Sequence, residues 1–346
     1  MAKAIVFGAG GQVAADLVPM LYERGDDLTL VDLYPPDETE GGKACRRYFE
    51  TRRVAGWERW WRAFDATDNV LTHRLIRELR PDVVYHLAAI LSARCEDAPP
   101  VCWRINMALF TNVLEDLRLI TAGDYRPKLL FPSSIAAFGP LPGAGVSYEP
   151  DNEYPLLPTT MYGVTKVACE TLGTYYADKR WVDFRAVRYP GLLNDAAPGG
   201  GSSDYANQMY FDAVDGAEPR PCFVGPGARI PFMYMKDAAR ALIQLAEADG
   251  AMLTRRVYNI KAFAAPSAAE MAASIAREVP GFSVRYEPDR RAGYVASWPD
   301  DLDDRPARND WGWQAEVNDL DKMTRRLLAD IRAKRRVQPN REEVEA

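Results

Sequence analysis

Short apolar runs alternate with amphipathic stretches over the first 190 or so residues. Ala4-Ile5-Val6-Phe7 is a compact run stopped by glycine, and it predicts a buried strand over 3–7. Val13, Leu17, Val18 and Leu21 recur at helical spacing and predict a helix over 12–24. The same reading predicts strands at Leu28–Val31, Val83–Leu87, Lys128–Phe131 and Val182–Arg188. It predicts helices over 68–79, stopping before Pro81, and over 100–119 and 160–178. Residues 36–62, with Glu40-Gly41-Gly42 and an Arg/Trp-rich stretch, read as an irregular insertion. Strands alternating with helices imply βαβ units, a parallel sheet and a doubly wound α/β fold. After Pro190 the alternation weakens. A helix and the strand Val257-Tyr258-Asn259-Ile260 then return to the main sheet. The expected division is a nucleotide-binding domain of 1–190 plus 236–260, a smaller substrate domain of 191–235 plus 261–335, and a charged tail of 336–346.

Composition narrows the function without naming it. The chain has 346 residues, 47% hydrophobic and 27% charged, with a formal net charge of -6. That balance argues against nucleic acid as a partner. Lys334-Arg335-Arg336 reads as a solvated part of the tail. The first apolar run is too short for a secretory signal, and no stretch reaches the roughly 20 apolar residues of a membrane helix. Five cysteines without a CxxC pair point to reduced thiols and a cytoplasmic protein. His73 and His86 are too few and too far apart for a zinc site, so no metal is expected.

Gly8-Ala9-Gly10-Gly11-Gln12-Val13-Ala14 joins the first strand to the first helix. Glycine lets the chain turn sharply there and approach a pyrophosphate, and the helix start offers free N–H groups to it. Standing at the opening of a βαβ unit, the loop reads as a Rossmann dinucleotide site. Asp32 ends the second strand about 20 residues on, where a carboxylate can hold a ribose. Leu33 and Tyr34 follow it rather than arginine, which favours NAD over NADP. Asp65 is a further candidate for the adenine end, with a cap role nearby as its alternative.

Tyr162-Gly163-Val164-Thr165-Lys166 puts a phenol and an ammonium on one helical face. A free tyrosine titrates near 10, and a neighbouring cation favours its anion. A tyrosinate can then remove a hydroxyl proton while hydride leaves the carbinol carbon. Tyr175-x-x-x-Lys179 matches the same pattern. It lies about 220° around the helix from Tyr162, so the two pairs cannot face one cofactor. Tyr162 alone has a serine pair, Ser133-Ser134, upstream at a strand's carboxyl end. Ser134, Tyr162 and Lys166 are therefore the expected catalytic set.

Longer motifs sharpen this. His86-Leu87-Ala88-Ala89-Ile90-Leu91-Ser92-Ala93, Pro132 to Pro140, Tyr189-Pro190-Gly191, Pro198-Gly199-Gly200-Gly201, Met233-Tyr234-Met235, Ser297-Trp298-Pro299-Asp300 and Asp310-Trp311-Gly312-Trp313 are distinctive. Over about residues 1–330 the chain resembles the short-chain-type L-threonine 3-dehydrogenases, extended short-chain dehydrogenases related to UDP-galactose 4-epimerase. The resemblance implies NAD-dependent oxidation of L-threonine to 2-amino-3-oxobutanoate. It places Leu87, Ala88, Ala89, Tyr189 and Pro190 at the cofactor, with Gly8, Gly10, Gly11, Gln12 and Val13. It places Ser92, Gly191, Ser202, Ser203 and Asp204 at the substrate, with Ser134 and Tyr162. Where the family has two threonines, this chain has Ser202 and Ser203; those hydroxyls suit a carboxylate, and Asp204 an ammonium. The bland alternative is that Ser202, Ser203 and Asp204 cap a helix. The insertion, the loop Gly143–Val146 and the two serines leave room for a different β-hydroxy amino acid. The resemblance also implies a homodimer through the helices 100–119 and 160–178, although Ile105, Leu109, Val113, Val167, Ala168 and Leu172 could equally pack on the sheet. Trp298, Trp311 and Trp313 read as core of the small domain. Two rivals share the fold. A sugar-nucleotide epimerase keeps the Tyr/Lys pair, whereas a dehydratase would want carboxylates where Ile135, Ala136 and Ala137 stand. A non-catalytic NAD-binding protein is the other.

Overall fold

A computed structural model describes residues 1–140, 154–199, 201–216, 218 and 220–337. Strands β1 (Lys3–Phe7), β2 (Asp27–Asp32), β3 (Trp61–Ala63), β4 (Val83–His86), β5 (Lys128–Ser134), β6 (Asp183–Tyr189) and β9 (Val257–Asn259) form one parallel sheet. Its order is β3-β2-β1-β4-β5-β6-β9. β7 (Gly191–Leu193) and β8 (Phe232–Tyr234) pair separately, also in parallel. Helices α1 (Gln12–Glu23), α2 (Glu40–Thr51), α3 (Asn69–Leu79), α4 (Ser92–Asp97), α5 (Pro99–Ile120) and α6 (Met161–Asp178) link the first six strands. α7 (Asp204–Asp215), α8 (Met235–Glu247), α9 (Ala268–Glu278), α10 (Arg290–Val295), α11 (Arg305–Trp311) and α12 (Leu320–Val337) follow. The order reverses between β1 and β4, and at such a crevice open α/β sheets bind ligands.

The sheet is buried on both faces, as βαβ crossovers require. α1, α2 and α8 cover one face, through Leu17, Leu21, Phe49 and Leu242. α5 and α6 cover the other, through Phe110, Val113, Leu117 and Cys169. A third core gathers α7, α9 and α12 around Tyr210, Met271 and Leu327.

Several expectations are corrected. Residues 36–62 are not irregular: they hold α2, two 3-10 turns and β3, the sheet's edge strand. Gly41-Gly42 reads locally as a break, but both lie in the first turn of α2, where backbone N–H groups have no helical partner to lose. Thr39 caps that turn by accepting the Gly42 N–H at 3.1 Å. Cys45 and Phe49, one turn apart and fully buried, carry its apolar face. β5 runs on past Phe131 through Pro132 to Ser134. Its pairing to β4 ends at Leu130, so the proline removes no ladder bond on that side. Lys334-Arg335-Arg336 is the last turn of α12, not a tail: Lys334 donates to the Asp195 carbonyl at 3.0 Å and Arg335 pairs with Asp215 at 2.8 Å. Trp311 and Trp313 belong to the core beside α8 and the sheet rather than to the third core. The loop Gly143–Val146 and the chain beyond Val337 lie outside the described residues.

Asp16 on α1 offers a test of this packing. Burial raises its carboxyl to about 6, with Lys236 opposing and Asp195 and Asp330 reinforcing. An acid raised in the folded state stabilises the fold less once it ionises. The penalty is absent below the unfolded value near 4 and complete above about 6. Asp16→Asn is therefore expected to stabilise the protein by on the order of 1–2 kcal/mol at pH 8 and not at all below pH 4. Denaturant unfolding at both pH values checks this; an equal effect at both would refute it.

Candidate active site

The turn between β1 and α1 is built to leave its backbone exposed. Gly8 sits at φ +80°, and both its N–H and that of Ala9 donate to the Val31 carbonyl, at 2.8 and 3.0 Å. A Cβ on Gly8 would stand 2.6 Å from the Ala88 nitrogen. Gly11 caps α1 in extended conformation without any side-chain hydrogen bond, leaving the helix start free for an anion. α2 holds this loop from behind. Gly41 N–H donates to Gly10 carbonyl at 3.1 Å, and a Cβ on Gly41 would come 2.3 Å from the Gly11 oxygen. The segment read as an insertion is thus the loop's support, and its paired glycines were the available signal.

Asp32 lies at the carboxyl end of β2, accepting the Gly10 N–H at 2.8 Å and the Tyr34 N–H at 3.3 Å. Asp65 is occupied elsewhere: it accepts from the backbone and hydroxyl of Thr67, at 2.9 and 2.8 Å, while Asp68 caps α3.

A cleft of about 290 Å³ opens over the carboxyl ends of the strands. Gly11, Gln12, Val13, Leu87, Ala89, Ser92, Ser134, Tyr162, Lys166, Tyr189, Pro190, Gly191, Ser202, Ser203 and Asp204 all line it. Gly8, Gly10, Asp32, Asp65 and Ala88 do not. Four of these five meet at the glycine turn: Gly8 and Ala88 in close contact, Gly10 bonded to Asp32. Gln12 bridges the glycine loop to the opposite wall, donating to the Ala197 carbonyl at 3.4 Å and accepting from Asn194 at 3.1 Å.

α6 delivers Tyr162 and Lys166 to the cleft. Thr160 caps it, accepting the Gly163 N–H at 3.1 Å. At Gly163 a Cβ would meet the Ala136 oxygen at 2.0 Å, so only glycine brings the helix this close to the turn after β5. Lys166 is buried; its ammonium donates to the Pro132 carbonyl at 2.6 Å and lies 4.4 Å from the Phe131 ring centre and 5.2 Å from that of Tyr162. Ser134 Oγ accepts the Ala136 N–H at 3.1 Å, which leaves its own proton to donate. Tyr175 is exposed, with Lys179 over its ring, and neither lines the cleft. His86 on β4 is fully enclosed; burial, and then the Lys166 charge, push it down to about 3, so it stays neutral.

Elsewhere in the cleft, the Ser92 and Ser202 hydroxyls lie 3.2 Å apart, and the Ser202 N–H donates to Ser92 at 3.3 Å. Ser203 precedes α7 but makes no cap hydrogen bond with its side chain, and Asp204 accepts the Gly201 N–H at 2.8 Å. Trp298 corrects the sequence reading: it packs in the third core yet also lines the cleft, and its buried indole N–H has no partner. Among the described lining residues Lys166 is the cation and Asp204 the carboxylate; no guanidinium is present.

The expectation of reduced thiols fails at one pair. Cys95 and Cys102 form a disulfide, their Cα atoms 5.0 Å apart. Seven residues along one helix would separate them by about 10 Å. The chain breaks at Ala98 between α4 and α5 and folds back, which spacing alone does not reveal. Cys45, Cys169 and Cys222 are free and buried. Thiol titration of the denatured, unreduced chain is expected to count three cysteines, and five after reduction. Five before reduction would remove the bridge.

Among the described residues no helix is long and apolar enough to cross a membrane, and no cluster of residues could hold a metal ion. The bare helix start, the glycine at positive φ and the close backbone approaches fit a dinucleotide. A family model for the NAD dependent epimerase/dehydratase family matches residues 4–260. An uncharacterised epimerase/dehydratase of Staphylococcus saprophyticus is 35% identical over 349 residues, covering 98% of this chain and 99% of its own. The holo form of a GalE-like L-threonine dehydrogenase from Cupriavidus necator superposes with a TM-score of 0.82 at 36% identity, covering 95% of this chain and 99% of that one. A monomeric L-threonine 3-dehydrogenase from a metagenome does so with 0.82 at 34%, covering 96% and 99%.

Proposed function

Because the chain belongs to the NAD-dependent epimerase/dehydratase family, and is on that footing an NAD-dependent oxidoreductase, we propose that it oxidises the 3-hydroxyl of L-threonine or a related β-hydroxy amino acid, giving 2-amino-3-oxobutanoate from threonine. One observation carries the reading: the charge inventory of the cleft. Among the described lining residues Lys166 and Asp204 are the charged groups, with the Ser92 and Ser202 hydroxyls as further polar groups. That set suits a small zwitterion. A sugar nucleotide brings a second diphosphate beside that of NAD, for which planar guanidinium forks are the fitting partner, and none is present among the described lining residues.

Tyr162, as phenolate, takes the proton of the substrate hydroxyl. Ser134 donates to the same oxygen and holds it. Lys166, with its ammonium kept off bulk water by burial, favours the phenolate. NAD, when bound, accepts the hydride from the carbinol carbon. Asp32 binds the adenosine ribose and repels a 2′-phosphate. Ser92 and Ser202 receive the substrate carboxylate, and Asp204 its ammonium.

We also assign residues 1–190 with 236–260 to the cofactor half and 191–235 with 261–335 to the substrate half. We propose a homodimer through α5 and α6. Leu109 and Val113 face the sheet, but Val164, Thr171 and Tyr175 form an exposed stripe along α6. Sedimentation of the full chain decides between dimer and monomer.

The test of the reaction is NADH absorbance with L-threonine, L-allo-threonine, L-serine and larger β-hydroxy amino acids. Turnover of threonine before the others supports the reading. Turnover of another member moves the substrate but keeps the chemistry. Silence throughout, with tight binding of a UDP-sugar, replaces the reading by the epimerase.

A further inference from the structure

Behind the Tyr162–Lys166 pair lies a buried carboxylate that the chemistry above does not use. Glu170 stands one helical turn beyond Lys166 on α6 and is almost wholly enclosed. It accepts Arg188 of β6 twice at Oε2, from Nη2 at 2.8 Å and Nε at 3.2 Å, and once at Oε1, from Nε at 3.0 Å. It also accepts the hydroxyl of Ser133. Arg188 reaches on to Asn259 of β9 at 3.3 Å. In the sheet register Ser133 pairs with Arg188, and Arg188 with Asn259. The carboxylate therefore ties α6 to the carboxyl ends of β5 and β6, and Arg188 carries the link on to β9. Ser133 sits between Pro132, whose carbonyl seats the Lys166 ammonium, and Ser134, and all three line the cleft, while the Ser133 hydroxyl is turned to Glu170.

We infer that Glu170, through Ser133 and Arg188, is a positioning residue that sets the height of α6 on β5 and so holds the Lys166 ammonium beside Tyr162. The inference rests on the dehydrogenase reading for its kinetic consequence, not for its geometry. A buried ion pair is seldom a net source of stability, because desolvation offsets the attraction. Its use lies in fixing one arrangement, here at the point where helix and strand deliver the Tyr, Lys and Ser. The other groups near it do not compete for the charge. Burial keeps His86 neutral, at about 3, and pushes the Cys169 thiol up to about 12.

Ser133→Ala is the decisive variant, since it cuts the tie to β5 and leaves both charges in place. With L-threonine and NAD, kcat is expected to fall at least fivefold, KM to change by less than twofold, and the acid limb of the kcat profile to move to higher pH. Ser133→Thr keeps the hydroxyl and is expected to restore the limb. Glu170→Gln is the second variant, read by thermal unfolding as well as kcat. A lowered Tm with parental kcat and pH profile would make the cluster merely structural and overturn the inference. A readout free of turnover separates it from the substrate assignment: the ¹⁵N signal of the Lys166 ammonium, identified by its loss in Lys166→Met. It is expected to shift in Ser133→Ala whatever the substrate. An unmoved signal overturns the positioning role even if threonine is the substrate, whereas a moved signal in a protein inert toward threonine overturns only the substrate.

Discussion

Tyr162→Phe is expected to lower kcat/KM for the hydroxy substrate by 10²- to 10⁴-fold, the range that general base catalysis contributes, or about 3–5 kcal/mol of transition-state stabilisation. Only one oxygen is removed, and from a side chain that is just partly buried, so unfolding temperature and NAD affinity should stay close to the parent's. The effect belongs in kcat, because the proton moves in the transition state and not in the bound ground state. The second Tyr-x-x-x-Lys pair supplies the control. Tyr175 is exposed and outside the cleft, so Tyr175→Phe should leave kcat/KM unchanged. A Tyr162→Phe enzyme within fivefold of the parent would remove the phenolate from the reaction.

Gly8→Ala is expected to cost about 2–4 kcal/mol of stability and to weaken NAD binding at least tenfold. Two costs add. The left-handed backbone at φ +80° disfavours any side chain by roughly 1–2 kcal/mol. The new methyl would also stand 2.6 Å from the Ala88 nitrogen and 2.9 Å from the Leu87 carbonyl carbon. Those atoms are backbone and cannot swing aside. Leu87 N–H is bonded to the Phe7 carbonyl at 2.8 Å, so relief means moving β4's end away from β1. Gly225→Ala is the comparison: nothing lies within 4 Å of its Cβ position and its φ is unremarkable. Thermal unfolding and quenching of tryptophan fluorescence by NADH read both quantities. NADH affinity within twofold of the parent would mean that the turn tolerates a side chain and is not pressed against the dinucleotide.

Much of the architecture was legible because its signals are local. A glycine that must take positive φ announces itself by type, as does a strand of Ala4 to Phe7 between polar ends. Tyr162 and Lys166 share a face by helical spacing alone, and the duplicate at Tyr175 was separable by the same arithmetic. α2 was not legible, because Gly41 and Gly42 look like a break until the glycine loop is seen pressing on them. Trp298 was taken for core alone, since nothing local distinguishes an indole that packs on one side from one that also faces a cleft.

What the sequence by itself determined is therefore six of the seven strands of the main sheet, their alternation with helices, the glycine turn and the paired phenol and ammonium. Each depends on residues within a turn or two of one another, where backbone sterics and periodicity act directly. Only the tertiary structure decided which distant residues meet: Gln12 with Asn194, Ser92 with Ser202, and Ser133 with Glu170 and Arg188. Sheet register and the seating of α6 on β5 set those meetings, and they arise from packing of the whole core, which leaves no periodic trace in the chain.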